Sequence, residues 1–349
     1  MAISAFSTPL LICVFIICSI IIWIAGTKIS FTVDVISKYF GMGEALGGII
    51  FLAIVTNLPE IAITSVAAYN GHMEIATSNI LGGIAIQTVV LVVIDIFGVG
   101  KSAPLTYRAS SVELILEGII LIFILALVLM GKFLSTDLIF FHVTPTEVFI
   151  LLAWIFGVYI VSKKDKLPQL VHVDKEEIAE EQKAFVKDTP NSSVSITPKI
   201  ILFGVCAVLT LLAGWALEVS GEALASRFGM SGAIFGATIL AAATSLPEIS
   251  TGIASVKLKD YRMAMSDILG GNAFLPILFL LGSVISGQTI ISNLASTDMF
   301  LTGLGILLTG IYLIGLIFRL KKQYARMGLD SIAVVVVYII GIIGLMYIK

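Results

Sequence analysis

Ten long apolar runs divide the chain, and they limit its fold more than any other feature. A membrane-spanning helix needs about 20 mainly apolar residues, with a range of about 17–25. The runs occupy residues 6–25, 43–70, 74–97, 112–131, 146–162, 199–217, 232–256, 262–286, 297–318 and 330–348. Because a bilayer offers no hydrogen-bond partners to open backbone, these runs predict an all-α polytopic membrane protein with ten transmembrane helices.

The composition excludes several other classes of protein. The chain is 58% hydrophobic and 13% charged, with a mean hydropathy of +1.08, whereas a soluble domain carries about 25% charged residues. The net charge of -2 leaves no basic surface for nucleic acid. The three cysteines lie in apolar runs and the three histidines are scattered. We therefore expect no disulfide framework, no zinc or haem site and no cofactor.

The basic residues predict the orientation of the chain in the membrane. Of the 21 lysines and arginines, all but Lys132, Arg227 and Lys349 fall in the odd-numbered loops between the ten runs. Loops rich in Lys and Arg face the cytoplasm. Both termini are thus expected outside a cell membrane, and the long polar stretch 163–198 is expected to be a cytoplasmic loop.

An internal repeat relates the two halves of the chain at an offset of 188 residues. The matched segments are Phe40-Gly41-Met42 with Phe228-Gly229-Met230, Leu58-Pro59-Glu60-Ile61 with Leu246-Pro247-Glu248-Ile249, and Ile80-Leu81-Gly82-Gly83 with Ile268-Leu269-Gly270-Gly271. Each half, 1–162 and 199–349, contains five runs, so the second copy enters the membrane from the opposite side. Inverted repeats are typical of secondary transporters, whose substrate site lies at the repeat interface near the bilayer midplane.

Each repeat carries one carboxylate inside an apolar run, Glu60 in TNLPE and Glu248 in TSLPE. A charged side chain at the bilayer centre costs about 2.5–3.5 kcal/mol on insertion scales. No Lys or Arg lies at a comparable depth in the same pair of helices. The partner of each carboxylate is then most simply a bound cation or a proton.

The prolines beside these carboxylates predict broken helices. Pro59 and Pro247 lack an amide hydrogen and push the preceding residue away from helical geometry. Carbonyl oxygens before each break, including those of Thr56 and Thr244, are then free to coordinate a cation. Carbonyl and carboxylate oxygens make a hard site of the kind that Ca²⁺ prefers and Na⁺ also accepts.

A second polar segment follows in each half, SNILGG at 78–83 and SDILGG at 266–271. Paired glycines allow close helix packing, and a packing seam is one interpretation. The alternative adds Gln87 and Asn272, whose side chains could face the carboxylates. Asp267 is either an additional ion or proton ligand or a residue near the cytoplasmic mouth.

These segments resemble the calcium/cation antiporter superfamily, specifically its sodium/calcium exchanger branch, with the two motifs at 48–87 and 236–275. The resemblance implies two inverted α-repeats and exchange of Ca²⁺ for Na⁺ or H⁺. It implies central calcium ligands at Glu60 and Glu248, backbone carbonyl ligands at Thr56 and Thr244, and flanking polar ligands at Asn57 and Ser245.

The chain departs from the family pattern where sodium ligands are expected. The family's serine after the second-motif glycine is Gly83 in one half and Gly271 in the other. The Asn or Asp that follows is Gln87 in the first half and Leu275 in the second. Fewer oxygen ligands argue against a three-sodium stoichiometry and favour proton coupling through Glu60, Glu248 or Asp267.

The function predicted from the sequence is a secondary active cation antiporter that works by alternating access. A passive cation channel using the same carboxylates is the alternative. An intramembrane enzyme is disfavoured because the sequence shows neither a nucleophile–histidine arrangement nor an HExxH helix. Helices in 43–97 and 232–286 are expected to form a fixed core against which the helices in 6–38 and 199–225 slide. Inorganic cations and the bilayer are the expected partners, and the oligomeric state is left open.

Overall fold

The computed structural model describes residues 3–40, 46–100, 103–134, 142–163 and 196–348, and these are almost entirely helical. Most of the predicted loop 163–198 lies outside the described residues. The helices are α1 (Thr8–Tyr39), α2 (Leu46–Thr56), α3 (Leu58–Asn70), α4 (Met73–Ile94), α5 (Leu105–Ala109), α6 (Val112–Gly131), α7 (Pro145–Val161), α8 (Thr197–Phe228), α9 (Gly232–Thr244), α10 (Leu246–Lys257), α11 (Tyr261–Phe274), α12 (Leu278–Ser286), α13 (Ser296–Phe318) and α14 (Leu329–Leu345).

Short irregular elements join or interrupt the helices. Turns of π-helix occupy Asp95–Val99 after α4 and Gly236–Leu240 within α9. Single 3₁₀ turns occupy Ile3–Ala5, Leu275–Ile277 and Ile291–Asn293. Strands β1 (Gln323–Tyr324) and β2 (Met327–Gly328) form a small antiparallel hairpin between α13 and α14.

Six helical segments are long and apolar enough to cross a membrane, and two bent helix pairs bring the number to as many as eight within the described residues. The bent pairs are α2 with α3 and α9 with α10. Two further apolar helices, α7 and α14, have 17 residues each. The chain is thus a helical multi-pass membrane protein, as the apolar runs predict.

Helices α1 and α8 are longer than the apolar runs from which they are predicted. Each has 32 residues, or about 48 Å at about 1.5 Å per residue, which exceeds the bilayer's hydrocarbon thickness of about 30 Å. The runs end at 25 and 217 because hydropathy marks where the chain leaves hydrocarbon, whereas a helix continues as long as its backbone bonds are made. The helices themselves end close to the bounds 6–38 and 199–225 expected for the first helix of each half.

Helices α1 and α8 pack against each other as an antiparallel pair. Arg227, near the end of α8, donates hydrogen bonds to Thr8 Oγ1 (3.0 Å) and to the carbonyl of Ser4 (3.1 Å) at the start of α1. Between them, Leu11, Ile22 and Leu217 are fully buried. The first helices of the two halves therefore run in opposite directions.

Helix α4 lies at the centre of the remaining helices and packs against α3, α9, α10, α11, α13 and α14. Its closest approach is to α9, where a Cβ atom on Gly82 would overlap the backbone of Ala237. Ser78 adds a hydrogen bond to the carbonyl of Gly232 (3.2 Å). The first glycine of the Gly-Gly pair is therefore a packing contact, which fits the simpler interpretation of this motif.

Asp95 links three elements at one end of this core by hydrogen bonds. Its side chain is fully buried and accepts hydrogen bonds from the amide of Leu105 (2.8 Å), the amide of Gly328 (2.8 Å) and the hydroxyl of Ser331 (2.8 Å). The sequence gives no sign of this role, because the three partners come from α5, β2 and α14, far apart in the chain.

Replacing Asp95 by Ala should destabilise the fold by on the order of 3 kcal/mol, since three buried donors lose their acceptor. The measurement is thermal or denaturant unfolding of the purified protein in detergent. Asp260→Ala is the matched control, because Asp260 caps α11 through a solvent-exposed hydrogen bond from the amide of Met263 (3.0 Å), and a lost cap costs only about 1 kcal/mol. Equal stability of the two variants would contradict a fastening role for Asp95.

Candidate ion-binding site

Both predicted helix breaks are present. Asn57 separates α2 from α3 at a bend of 64°, and Ser245 separates α9 from α10 at a bend of 42°. Pro59 and Pro247 lie in the first turn of the second helix of each pair. Neither proline can donate to the carbonyl four residues earlier, so each break leaves backbone oxygen atoms without their helical partner.

The two carboxylates lie in the first turns of α3 and α10 and are buried. Glu60 is 1% exposed and Glu248 is 9% exposed. The second break lies close to Glu60, because Thr244, four residues before Glu248, is next to the Glu60 carboxylate. Neither oxygen of Glu60 has a hydrogen-bond partner, although Thr244 lies beside that carboxylate. Oε2 of Glu248 has no hydrogen-bond partner either. The repeat thus brings two buried acids together with unused oxygen atoms.

No basic side chain neutralises these carboxylates within the described ranges. The ion pair found there joins His72 to Glu218, and no Lys or Arg lies within 4.0 Å of either Glu60 or Glu248. Two adjacent buried acids without a counter-charge are costly unless they bind a cation or a proton. This agrees with the partner expected from the sequence.

Polar side chains at the breaks are held against the preceding helix. The Asn57 amide donates from Nδ2 to the carbonyl of Ala53 (2.7 Å), and the Ser245 hydroxyl donates to the carbonyl of Ala241 (2.7 Å). Ala53 and Ala241 are related by the repeat. The same local geometry is therefore built twice, once on each side of the carboxylate pair.

Helices α4 and α11 contribute further buried polar groups beside the breaks. Gln87 is 2% exposed and its Nε2 has no hydrogen-bond partner. Asn272 is fully buried; its Nδ2 donates to the carbonyl of Ile84 (3.4 Å), and its Oδ1 has no partner. Both residues were expected to face the carboxylates, and the packing of α4 against α10 and α11 is compatible with that expectation.

Asn79 is a buried polar residue that the sequence analysis did not single out. Its side chain is fully buried and neither amide atom has a hydrogen-bond partner among the described residues. The repeat offset pairs it with Asp267. That pairing was the available signal, because two polar residues at equivalent depth in both halves are unexpected in apolar helices.

Asp267 lines a cavity of about 190 Å³ bounded by α1, α2, α6, α7, α10 and α11. Its Oδ2 accepts a hydrogen bond from Thr251 Oγ1 (3.0 Å). Thr56, at the first break, lines the same cavity. The cavity therefore reaches from the break region past Asp267.

The positions where the sequence departs from the family pattern have different surroundings in the two repeats. Leu275 is fully buried, and its Cδ1 lies 3.7 Å from the position that a Cβ on Gly83 would occupy. Gly271 faces Asn57: a Cβ atom on Gly271 would lie 3.8 Å from Nδ2 of Asn57.

Carboxylates alone do not complete a metal site in the part of the chain that the structure describes. No three His, Cys, Asp or Glu side chains are grouped so that they could hold one metal ion. A cation held by Glu60 and Glu248 would need backbone, hydroxyl or amide oxygens as well. Those are the groups that the two breaks supply.

Two glycines place α1 and α8 directly on the breaks of the opposite repeat. A Cβ on Gly26 would lie 2.7 Å from Cγ of Pro247, and a Cβ on Gly214 would lie 2.7 Å from Cβ of Ala62 and 3.4 Å from the carbonyl oxygen of Pro59. The offset of 188 relates Gly26 to Gly214. The sequence analysis missed this pair, although the repeat contains it.

The chain is similar to two bacterial membrane proteins over most of its length. It is 25% identical over 285 residues to the putative antiporter CaxA of Alkalimonas amylolytica, covering 80% of this chain and 82% of that protein. It is 21% identical over 258 residues to the inner membrane protein YrbG of Escherichia coli strain K12, covering 73% and 74% respectively.

Several solved structures share the fold. The chain superposes on native YfkE with a TM-score of 0.62 at 14% identity, covering 98% of both chains. The H⁺/Ca²⁺ exchanger CAX gives 0.58 at 13% identity, covering 97% of this chain and 87% of that one, and the sodium-calcium exchanger NCX_Mj gives 0.57 at 16%, covering 97% and 99%. The sodium/calcium exchanger protein family matches residues 10–163 and 199–347. With this match across both halves and the two proline-broken, carboxylate-bearing helix pairs, the chain belongs to the sodium/calcium exchanger family.

Proposed function

We propose that this protein is a secondary active antiporter that exchanges Ca²⁺, or a similar cation, for Na⁺ or H⁺ by alternating access. The observation that carries the proposal is the pair Glu60 and Glu248, both buried, at two broken helices that lie close together, without a basic partner among the described residues. Family membership and the likeness to a putative antiporter support it.

We propose ten transmembrane helices arranged as two inverted five-helix repeats. Helices α7 and α14 each have 17 residues, which is at the lower limit for a span. Counting them with the six long segments and the two bent pairs gives the ten. The antiparallel packing of α1 on α8 supports the inversion of 1–162 relative to 199–349.

The basic loops support an orientation with both termini outside the cell and the segment 163–198 in the cytoplasm. The cavity is lined by residues near helix ends that adjoin such loops, including Val161, Ser255 and Met263. In this orientation the cavity faces the cytoplasm.

The proposed ligands lie on the four helices around the two breaks, α3, α4, α10 and α11, and at the breaks themselves. Glu60 and Glu248 supply the charge that neutralises a divalent cation. The remaining proposed ligands supply neutral oxygen or a third carboxylate: Thr56, Thr244, Asn57, Ser245, Gln87, Asn272 and Asp267.

The two repeats differ in the contacts of equivalent residues, which supports alternating access with an inward-facing state. In the first repeat, Ser78 and Gly82 are packed against α9. In the second, Ser266 and Gly270 line the cavity, and no described atom lies within 4 Å of a Cβ built on Gly270. One interface is closed where its counterpart is open, as exchange between two symmetric states requires.

A hydrogen bond between the turn after α3 and α8 reinforces the closed side. His72, in the turn between α3 and α4, lies 2.7 Å from Oε1 of Glu218 on α8, which is fully buried, and Asn70 Nδ2 donates to Oε2 of the same carboxylate (3.5 Å). The repeat-related positions on the other side hold Asp260 and Ser30. Such one-sided closure favours an antiporter over a passive channel.

Calcium flux in proteoliposomes tests the function and identifies the counter-ion. With the sodium-ligand positions occupied by Gly83 and Leu275, we expect an imposed pH gradient to drive ⁴⁵Ca²⁺ uptake at least tenfold faster than an imposed Na⁺ gradient of equal size. Protein-free liposomes are the control. Uptake that needs neither gradient would identify a channel, and the absence of any Ca²⁺ flux would refute the proposal for calcium.

A further inference from the structure

A half-buried carboxylate, Glu117, lies on the cavity wall, on a helix that the family motifs do not include. Glu117 is five residues into α6, about 8 Å along the helix from Val112 at about 1.5 Å per residue. It lines the cavity together with Ser266 and Asp267. An ionisable residue at this depth is a candidate functional group by default.

The contacts of Glu117 leave half of its carboxylate unused. Oε1 accepts a hydrogen bond from the hydroxyl of Ser266 (2.7 Å). Oε2 is buried and has no hydrogen-bond partner, and in the described ranges no Lys or Arg lies within 4.0 Å of it. A carboxylate with an unused, buried oxygen beside a cavity is able to accept a cation there.

Asp267 follows Ser266 in α11 and continues the acidic lining toward the central carboxylates. It is hydrogen-bonded to Thr251, which lies one helical turn from Glu248 on α10. The acids Glu117 and Asp267 thus line one cavity, and Thr251 connects Asp267 to the helix that carries Glu248.

The cavity has room for a hydrated ion. Its volume is about 190 Å³, whereas one water molecule in the liquid takes about 30 Å³. Carboxylate and hydroxyl oxygens are hard ligands that suit Ca²⁺ or a similar cation, with water completing the coordination. Both kinds of oxygen are present in the cavity: carboxylates from Glu117 and Asp267, and hydroxyls from Ser266 and Thr251.

The repeat-related segment of the first half makes different contacts. Asn79 takes the place of Asp267, and the hydroxyl of Ser78 bonds to the carbonyl of Gly232 instead of a carboxylate. Acids on the low-dielectric wall of the cavity concentrate cations there.

We propose that Glu117, Ser266 and Thr251, together with Asp267, which the two sites share, form a second cation site in the cavity, which holds a hydrated hard cation before it reaches Glu60 and Glu248. We call it the vestibular site. The role as a staging site rests on the proposed antiport function, whereas binding itself is testable without transport.

Terbium luminescence gives a direct test, because Tb³⁺ seeks the same oxygen ligands as Ca²⁺ and is excited through a nearby tryptophan. Trp154 lines the cavity and is 4% exposed. The full-length protein in lipid nanodiscs is titrated with Tb³⁺ alone. We expect the double variant Glu60→Gln, Glu248→Gln to retain tryptophan-sensitised luminescence, and Trp154→Phe in that background to lose it.

Further substitutions in the same background assign the site. Glu117→Gln should weaken Tb³⁺ binding at least tenfold, and Glu117→Asp should restore part of it. Glu113→Gln is the matched control: it removes the same charge one turn away on α6, at a residue that does not line the cavity, and should change binding less than twofold.

Two results would overturn the vestibular site: loss of all sensitised luminescence in the Glu60→Gln, Glu248→Gln variant, or equal effects of Glu117→Gln and Glu113→Gln. Size-exclusion profiles show whether each variant folds. If Glu117→Gln does not fold, Ser266→Ala replaces it as the test variant, because it keeps the charge of Glu117. Ser266→Ala should weaken Tb³⁺ binding at least threefold. Vestibular Tb³⁺ binding in a protein that fails to exchange Ca²⁺ would refute the antiport function and leave the site standing.

Discussion

Replacing either Glu60 or Glu248 by Gln is expected to reduce ⁴⁵Ca²⁺ exchange in proteoliposomes by more than 100-fold. Glutamine has nearly the same shape but no charge, so the remaining single carboxylate no longer neutralises a divalent cation. Because the two acids are buried together without a basic partner in the described ranges, the missing charge has no substitute nearby. The repeat predicts that the two variants are equally impaired.

Stability measurements separate this loss from misfolding. Removing one of two adjacent buried acids relieves repulsion and desolvation, so both variants should unfold at the same temperature as the wild type or higher when no Ca²⁺ is present. They should lose the stabilisation by Ca²⁺, which for a bound ligand at 100 times its Kd is about 2.7 kcal/mol. Glu222→Gln, a half-buried acid on α8 outside the site, is the control and should transport normally. Normal exchange in either glutamine variant of the pair would show that the central site is elsewhere.

Replacing Gly26 or Gly214 by Val is expected to reduce exchange more than tenfold. Each glycine lets a long helix lie directly on a proline break, where an added Cβ would lie 2.7 Å from Pro247 or from Ala62. A valine would wedge α1 or α8 away from the core or hold it in one position, and overpacking of this kind costs about 1–3 kcal/mol. If α1 and α8 slide against the core during transport, their contact must be free of such clashes in both end states.

Gly204→Val on α8 is the matched control, because no described atom lies within 4 Å of a Cβ built on Gly204. It should exchange Ca²⁺ at the wild-type rate. Calcium binding by Gly26→Val and Gly214→Val, measured by calorimetry, should persist because the ligands lie on other helices. If both variants exchange normally, the contact of α1 and α8 with the breaks has no part in transport.

Much of the site could be read from the sequence because its chemistry is local. Pro59 and Pro247 break their helices wherever they lie, since the missing amide hydrogen is a property of the residue itself. Glu60 and Glu248 stand out because charge is rare in apolar runs. The offset of 188 then implies that the two are built alike.

The residues that the sequence analysis missed depend on partners from distant parts of the chain. Glu117 lies near the start of an apolar run, where an acid does not stand out in the sequence. Only the cavity and Ser266 beside it distinguish this residue. Gly26 and Gly214 are two of 31 glycines, and only their contacts distinguish them. His72 and Glu218 form their pair across 146 residues of sequence.

The sequence by itself determined that the chain crosses a membrane as helices, where two of those helices break, and which carboxylates are left without a basic neighbour. These follow from hydropathy, proline geometry and the cost of burying charge, all of which act within a short segment. Only the tertiary structure decided that Glu60 and Glu248 meet, that α4 closes against α9 while a cavity opens beside α11, and that Glu117 joins Asp267 on its wall. The reason is that two sequence-related halves can pack in unequal ways, and the choice depends on contacts between helices that no single segment contains.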